Sequence, residues 1–270
     1  MAGEMQLGVM FTAGCMGADD WAAPLEEWSR AGLEAVDLLD FCRFFDVEFP
    51  KLGLDQKAVA ERLSSLGLSV PVISVRTDLV SADPNVRAES LDDIRKAVAA
   101  CPMFRSGVVF NFGGQHTNSG EEAKKRFIDG LDAACSIAAE GGVAFSIENA
   151  GTLCGTADEL LEVVRAVGED RLKVTIDPGN FLIARLDPVE CVRKLVDVTV
   201  HVHVKDLHEE EGGAHPPYEY CTVGEGLSGW QEIFDMLKDA GYRGMLEFEP
   251  SGKVPPKQTP HNLEAIRSML

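Results

Sequence analysis

The sequence lacks most features that would announce a membrane, an export route or a nucleic-acid partner. In 270 residues no run approaches the roughly 18 apolar residues of a membrane span. The opening MAGEMQLGVMFTAGCMGADD has no basic stretch and no long apolar core, so no signal peptide is expected. The seven cysteines are scattered, odd in number and form no CxxC pair. That usage fits a reduced, cytoplasmic compartment, with the thiols acting as small core residues. Basic residues are outnumbered, 25 against 44 acids, and none cluster into a patch. A net charge of -19 repels phosphate backbones, so no nucleic-acid partner is expected. The charge favours solubility and says nothing about the substrate. No GxGxxG follows the first apolar run, which removes the usual support for a dinucleotide fold. No Pro/Ser-rich linker divides the chain, so residues 1–270 read as one domain.

What is present is alternation. Eight short apolar runs read as strands: 7–11, 35–39, 70–75, 107–112, 143–148, 172–177, 198–204 and 244–249. Amphipathic stretches at 24–32, 54–68, 88–100, 121–142, 156–168, 187–196, 229–244 and 262–270 read as helices. Thr156 stands three residues before Glu159, a capping-box spacing, and Gly168 marks that helix's end. Eight strands alternating with helices over this length describe an α/β fold, a (β/α)8 TIM barrel. The stretch Leu207–Ser228 carries no periodic pattern and reads as a long loop after the seventh strand, on the catalytic face.

The last four strands share a pattern. Side chains two apart on a strand share a face. In FSIE, Ser146 and Glu148 oppose Phe145 and Ile147; in VTID, Thr175 and Asp177 oppose Val174 and Ile176. In HVHVK, His201, His203 and Lys205 oppose the valines; in LEFE, Glu247 and Glu249 oppose Leu246 and Phe248. In a barrel the apolar face packs on the helices and the polar face points inward. Buried carboxylates need partners. Three acids and a histidine at the same end of four strands call for a cation. The expected ligands are Glu148, Asp177, His203 and Glu249, one per strand. Oxygen donors with one imidazole suit a single divalent ion, and Mn, Mg, Co, Fe and Zn all fit. His201 is expected one layer deeper, and Lys205 at the rim as a substrate contact. Arg76, after the third strand, is a candidate for a substrate hydroxyl, carboxylate or phosphate. His116, after the fourth, could line the mouth. Asp37 is a candidate interior acid.

The motifs SIEN, DPGN, HVHVKD, GEG at 224–226 and the closing GMLEFEP resemble the sugar phosphate isomerase/epimerase family. This is the xylose isomerase-like TIM-barrel superfamily, which also holds ketose 3-epimerases, inosose dehydratases and the endonuclease IV group. The resemblance implies the same four metal ligands, with Glu148 and Glu249 as the acid/base pair and Lys205 or Glu225 near the substrate. Ketose 3-epimerases of the family usually carry a histidine three residues after the aspartate ligand; here that position, near the substrate, is Asn180. A homodimer is common in the family.

These residues would support removal of a proton beside a carbonyl. A metal stabilises the resulting enediolate, and a carboxylate takes the proton. The expected activity is therefore a metal-dependent isomerase or epimerase of a small sugar, sugar phosphate or related polyhydroxy carbonyl compound. An inosose-type dehydratase would use the same site. An endonuclease IV-like phosphodiesterase would need about three metals and more histidine ligands than six histidines readily supply. A non-catalytic barrel would be expected to have lost an acid.

Overall fold

The computed structural model describes residues 5–11, 21–112, 119–209, 218–250 and 258–270. Eight parallel strands close a barrel: β1 (Gln6–Phe11), β2 (Ala35–Leu38), β3 (Val72–Val75), β4 (Val108–Asn111), β5 (Ala144–Glu148), β6 (Leu172–Ile176), β7 (Thr199–Val204) and β10 (Met245–Phe248). Around the barrel the order is β1-β10-β7-β6-β5-β4-β3-β2, so every strand has two hydrogen-bonded neighbours and no open edge remains. Each expected strand is present; β1 begins one residue earlier than expected, and the others are shortened by a residue or two at their ends.

Two further strands, β8 (Asp206–Glu209) and β9 (Tyr218–Cys221), pair antiparallel beyond β7. They occupy part of the stretch expected as a loop. Alternation over four residues is too short to stand out among the acids and prolines around it.

The helices pack outside. They include α1 (Ala23–Arg30), α2 (Phe41–Arg43), α3 (Gln56–Ser65), α4 (Pro84–Phe104), α5 (Glu121–Glu140) and α6 (Ala157–Val167). After them come α7 (Pro178–Ile183), α8 (Pro188–Leu195), α9 (Trp230–Asp239) and α10 (Thr259–Met269). Thr156 and Glu159 complete the capping box of α6. α4 begins earlier than its apolar period shows, because Asp83 caps it at the Asn85 N–H and Pro84 occupies its first turn. α7 is a short helix that periodicity alone does not reveal. Among the described residues no helix is long and apolar enough to cross a membrane.

One continuous apolar layer joins helices to barrel. The outward side chains Ile147, Ile176, Val202, Val204, Leu246 and Phe248 are all buried against residues such as Leu131, Leu160, Val192 and Ile233. The inward side chains follow the strand register. Gly8 pairs with Ala35 and with Glu247, and a side chain at Gly8 would collide with Met245 inside the barrel. Met10, Ala35, Val72, Phe110, Phe112 and Met245 form a second, interior apolar cluster. Phe11 points outward instead, stacked on Phe44 and edge-on to Trp21.

Candidate metal centre

The polar inward faces of β5, β6, β7 and β10 meet at the carboxyl end of the barrel, on four neighbouring strands. Among the described residues, two trios of metal-ligand side chains bring donor atoms within 4.8 Å of one another: Glu148, Asp177 and His203, and His201, His203 and Glu247. His203 belongs to both. All five residues are buried.

Local sequence sets each position. Asp177 ends β6 and turns the chain into α7. Its Oδ1 accepts the Gly179 and Asn180 N–H groups, at 3.0 and 3.3 Å, and so caps that helix. Its Oδ2 lies 2.6 Å from Lys205 Nζ. Asn149, next to Glu148, donates to the Asp177 carbonyl and accepts its N–H, at 2.8 and 2.6 Å. SIEN and DPGN therefore lock to each other. His203 Nδ1 lies 2.9 Å from Glu148 Oε1. On its other side, His203 Nε2 stands 4.0 Å from Glu247 Oε1. Below, His201 Nε2 lies 2.7 Å from Glu247 Oε2. Phe110 seats its ring against both imidazoles, with centroids 5.6 and 5.0 Å away.

The structure separates the two acids of LEFE. Glu247 pairs in register with His203 and is fully buried. Glu249, expected as the fourth ligand, lies beyond the strand end, and its Oε2 accepts from Lys205 Nζ at 2.9 Å. Lys205 is itself buried and approaches Asp177 Oδ2 to 2.6 Å. Face periodicity puts Glu247 and Glu249 on the same side; only the strand register says which is level with the imidazole.

The donor set passes a test of fit for a divalent ion. Asp177 Oδ2, His203 Nε2, His201 Nε2 and both Glu247 carboxylate oxygens are buried without a partner in hydrogen-bond geometry. Orphaned buried polar atoms are costly, and each of the two trios could hold a cation. In the metal-free chain the strain appears as shifted titration. Burial, with repulsion from Glu249 and Glu148, pushes the Glu247 carboxyl up to about 8. Burial likewise pushes Asp177 up to about 7, against the pull of Lys205. Burial alone would lower His203, but the hydrogen bond and charge of Glu148 outweigh it and push the imidazole up to about 10. Burial also acts to raise Glu148, and the same His203 contact, aided by Lys205, carries it below its usual value.

The other expected residues scatter. Asn180 is half-buried in the first turn of α7. Glu225 is exposed on the GEG turn. Asp206 organises that turn, because its carboxylate accepts the N–H groups of Leu207, Gly224, Gly226 and Ser228, at 2.9 to 3.1 Å. A side chain at Gly226 would collide with it. Trp230 opens α9 and donates its indole N–H to the Lys205 carbonyl at 3.0 Å. Arg76 stands at the end of β3, across the mouth, over the Phe112 ring. His116 lies outside the described residues.

Three residues near the centre carried no sequence signal of their own. Glu247 was visible as an inward acid, but its depth was not. Asn149 is one letter of SIEN. Tyr220, on β9, is pushed up to about 12 by burial, with the Lys205 charge opposing, which places its phenol beside the rim pair.

Known proteins share this design. The family described as the xylose isomerase-like TIM barrel matches residues 25–269. The L-ribulose-5-phosphate 3-epimerase UlaE of Shigella flexneri is 24% identical over 250 residues, covering 90% of this chain and 81% of that one. An inosose dehydratase of Clostridium perfringens is 25% identical over 146 residues, 48% of this chain and 48% of the relative. The chain spans about half the length of several curated relatives it matches. Among solved structures, the probable 3-DHS dehydratase AsbF of Bacillus anthracis superposes with a TM-score of 0.79 at 14% identity, covering 97% of this chain and 99% of that one. At that identity the likeness concerns the fold. The chain belongs to the xylose isomerase-like TIM barrel family, as the resemblance of its motifs implies.

Proposed function

We propose that this protein is a divalent-metal-dependent isomerase or epimerase of a small polyhydroxy carbonyl compound. The observation that carries the reading is the buried trio Glu148, Asp177 and His203, whose ligand atoms lie within 4.8 Å of one another. Glu148, Asp177 and His203 would hold the ion at the carboxyl end of the barrel, with Glu249 as the expected fourth ligand. When bound, such an ion polarises substrate oxygens as a Lewis acid.

The chain's own groups do the rest. Glu148 is kept ionised by His203 and can accept a proton from the carbon beside the carbonyl. Glu249, beyond the end of β10, is the partner acid expected to return a proton to the other face. Lys205, clamped by Asp177 and Glu249, offers a cation for a substrate hydroxyl at the rim. The buried walls limit water, which strengthens each of these contacts.

A second reading keeps the first proton transfer and then expels a β-hydroxyl as water. It is favoured by relatives named inosose dehydratase and by Asn180, where ketose 3-epimerases usually carry a histidine.

One experiment addresses both. The protein loaded with Mn²⁺, Co²⁺ or Mg²⁺ is incubated in deuterated water with keto- and aldo-sugars, inososes and hydroxy-ketoacids. Exchange of substrate C–H without loss of water supports isomerase or epimerase chemistry; exchange with loss of water supports the dehydratase. No exchange with any probe rejects both.

A further inference from the structure

The metal half of the mouth leaves the opposite wall unassigned. β3 and β7 lie diametrically across the barrel, and Arg76 follows the last residue of β3. It is exposed, and among the described residues it makes no hydrogen bond or ion pair. Its guanidinium carbon stands 4.9 Å from the Phe112 ring centroid. Phe112 is in turn packed 4.6 Å from Phe110 and 6.3 Å from His203, centroid to centroid. The guanidinium is therefore no farther from the His203 ring than those two steps together. That span is comparable to a small sugar carrying a terminal oxyanion.

Geometry and charge agree on what this group can hold. The aromatic ring offers the guanidinium a cation–π contact at 4.9 Å. Its in-plane N–H donors stay available in the fork that matches carboxylate or phosphate oxygens. An oxyanion at the other wall would meet Glu148, Asp177, Glu247 and Glu249. At Arg76 it meets a cation, with Asp40 as the nearby acid. Burial raises the Asp40 carboxyl, and the Arg76 charge opposes that rise.

We infer that Arg76, shelved on Phe112, binds a terminal oxyanion of the substrate, so the enzyme takes an anionic polyhydroxy carbonyl compound. The inference rests on the function proposed above and names its substrate class.

The test is calorimetric titration of the Mn²⁺-loaded protein with three probes. They are a neutral ketose, the same ketose bearing a terminal phosphate, and a sugar acid bearing a terminal carboxylate. At least one oxyanion probe should bind about 10- to 100-fold tighter than the neutral ketose, as a charge-assisted contact implies. In Arg76→Met that ratio should fall to about one, and Arg76→Lys should restore part of it. The probe that keeps the larger ratio identifies phosphate or carboxylate. A ratio of one in the wild type, a ratio that survives Arg76→Met, or no binding of either oxyanion probe overturns the inference. The parallel C–H exchange assay separates the two claims. Exchange without an Arg76-dependent ratio retains the proposed function and rejects the subsite. An Arg76-dependent ratio without exchange does the reverse.

Discussion

On β1 to β4 the side chains that enter the barrel include Gly8, Met10, Ala35, Val72 and Phe110, with Asp37 and Ser74 among them. On β5, β6, β7 and β10 they are Ser146, Glu148, Thr175, Asp177, His201, His203 and Glu247. Both halves obey the same two-residue alternation, and their outward faces pack the same helical layer. The difference lies in what the inner face presents. The apolar half is a buried wall of low polarity. Against it the acids and imidazoles of the other half interact strongly and cannot be satisfied by water. Phe110 is the seam, packed edge-on to both histidines. Asp37 is partly satisfied there: its Oδ1 accepts the Ser74 N–H at 3.0 Å, its buried Oδ2 has no hydrogen-bond partner, and burial with Glu247 repulsion keeps its carboxyl well above the usual range.

The largest effect should come from the charged half. Glu148→Gln removes the proposed base, and C–H exchange with an identified substrate should fall by about 10²- to 10⁴-fold. Exchange retained at the wild-type rate would remove Glu148 from the chemistry. Next comes the seam. Phe110→Ala should cost about 3–5 kcal/mol of stability in chemical denaturation, the usual toll of a large cavity in a core. A loss under about 1 kcal/mol would show that the apolar wall is not rigid.

A pH series separates the halves without mutation. The folded-state values of Glu247 and His203, about 8 and about 10, lie above their ordinary ones. The folded metal-free chain therefore holds protons that the unfolded chain has released. That stability is present below the ordinary values and is lost as pH rises through the folded ones. Between pH 7 and 10 the metal-free protein should lose about 1.4 kcal/mol per pH unit for each retained proton. Saturating Mn²⁺ should reverse the slope, because the ion displaces those protons. The smallest effect belongs to the layer beneath. Ser146→Ala breaks a 2.9 Å hydrogen bond to Thr175 and should cost about 0.5–1.5 kcal/mol, with metal content unchanged.

The sequence made the two halves partly legible. Four strands with one apolar and one polar face pointed to an inward cluster, and the capping box and glycine stops placed helices around them. Alternation gives the face of a residue but not its height. Height depends on register, such as Glu247 opposite His203, which is set by pairing between strands far apart in the chain. Glu249 lies one step beyond that level, where it accepts from Lys205. The β8–β9 hairpin and α7 were hidden for a related reason. Each is too short for a period, and α7 depends on the cap that Asp177 provides.

Elemental analysis of dialysed wild type, Glu148→Gln and Glu249→Gln tests the central claim most directly. The wild type should retain about one divalent ion per chain. Each variant should lose at least about 10-fold in affinity for it. A wild type without metal, or variants that both hold the ion at the wild-type affinity, would contradict the account.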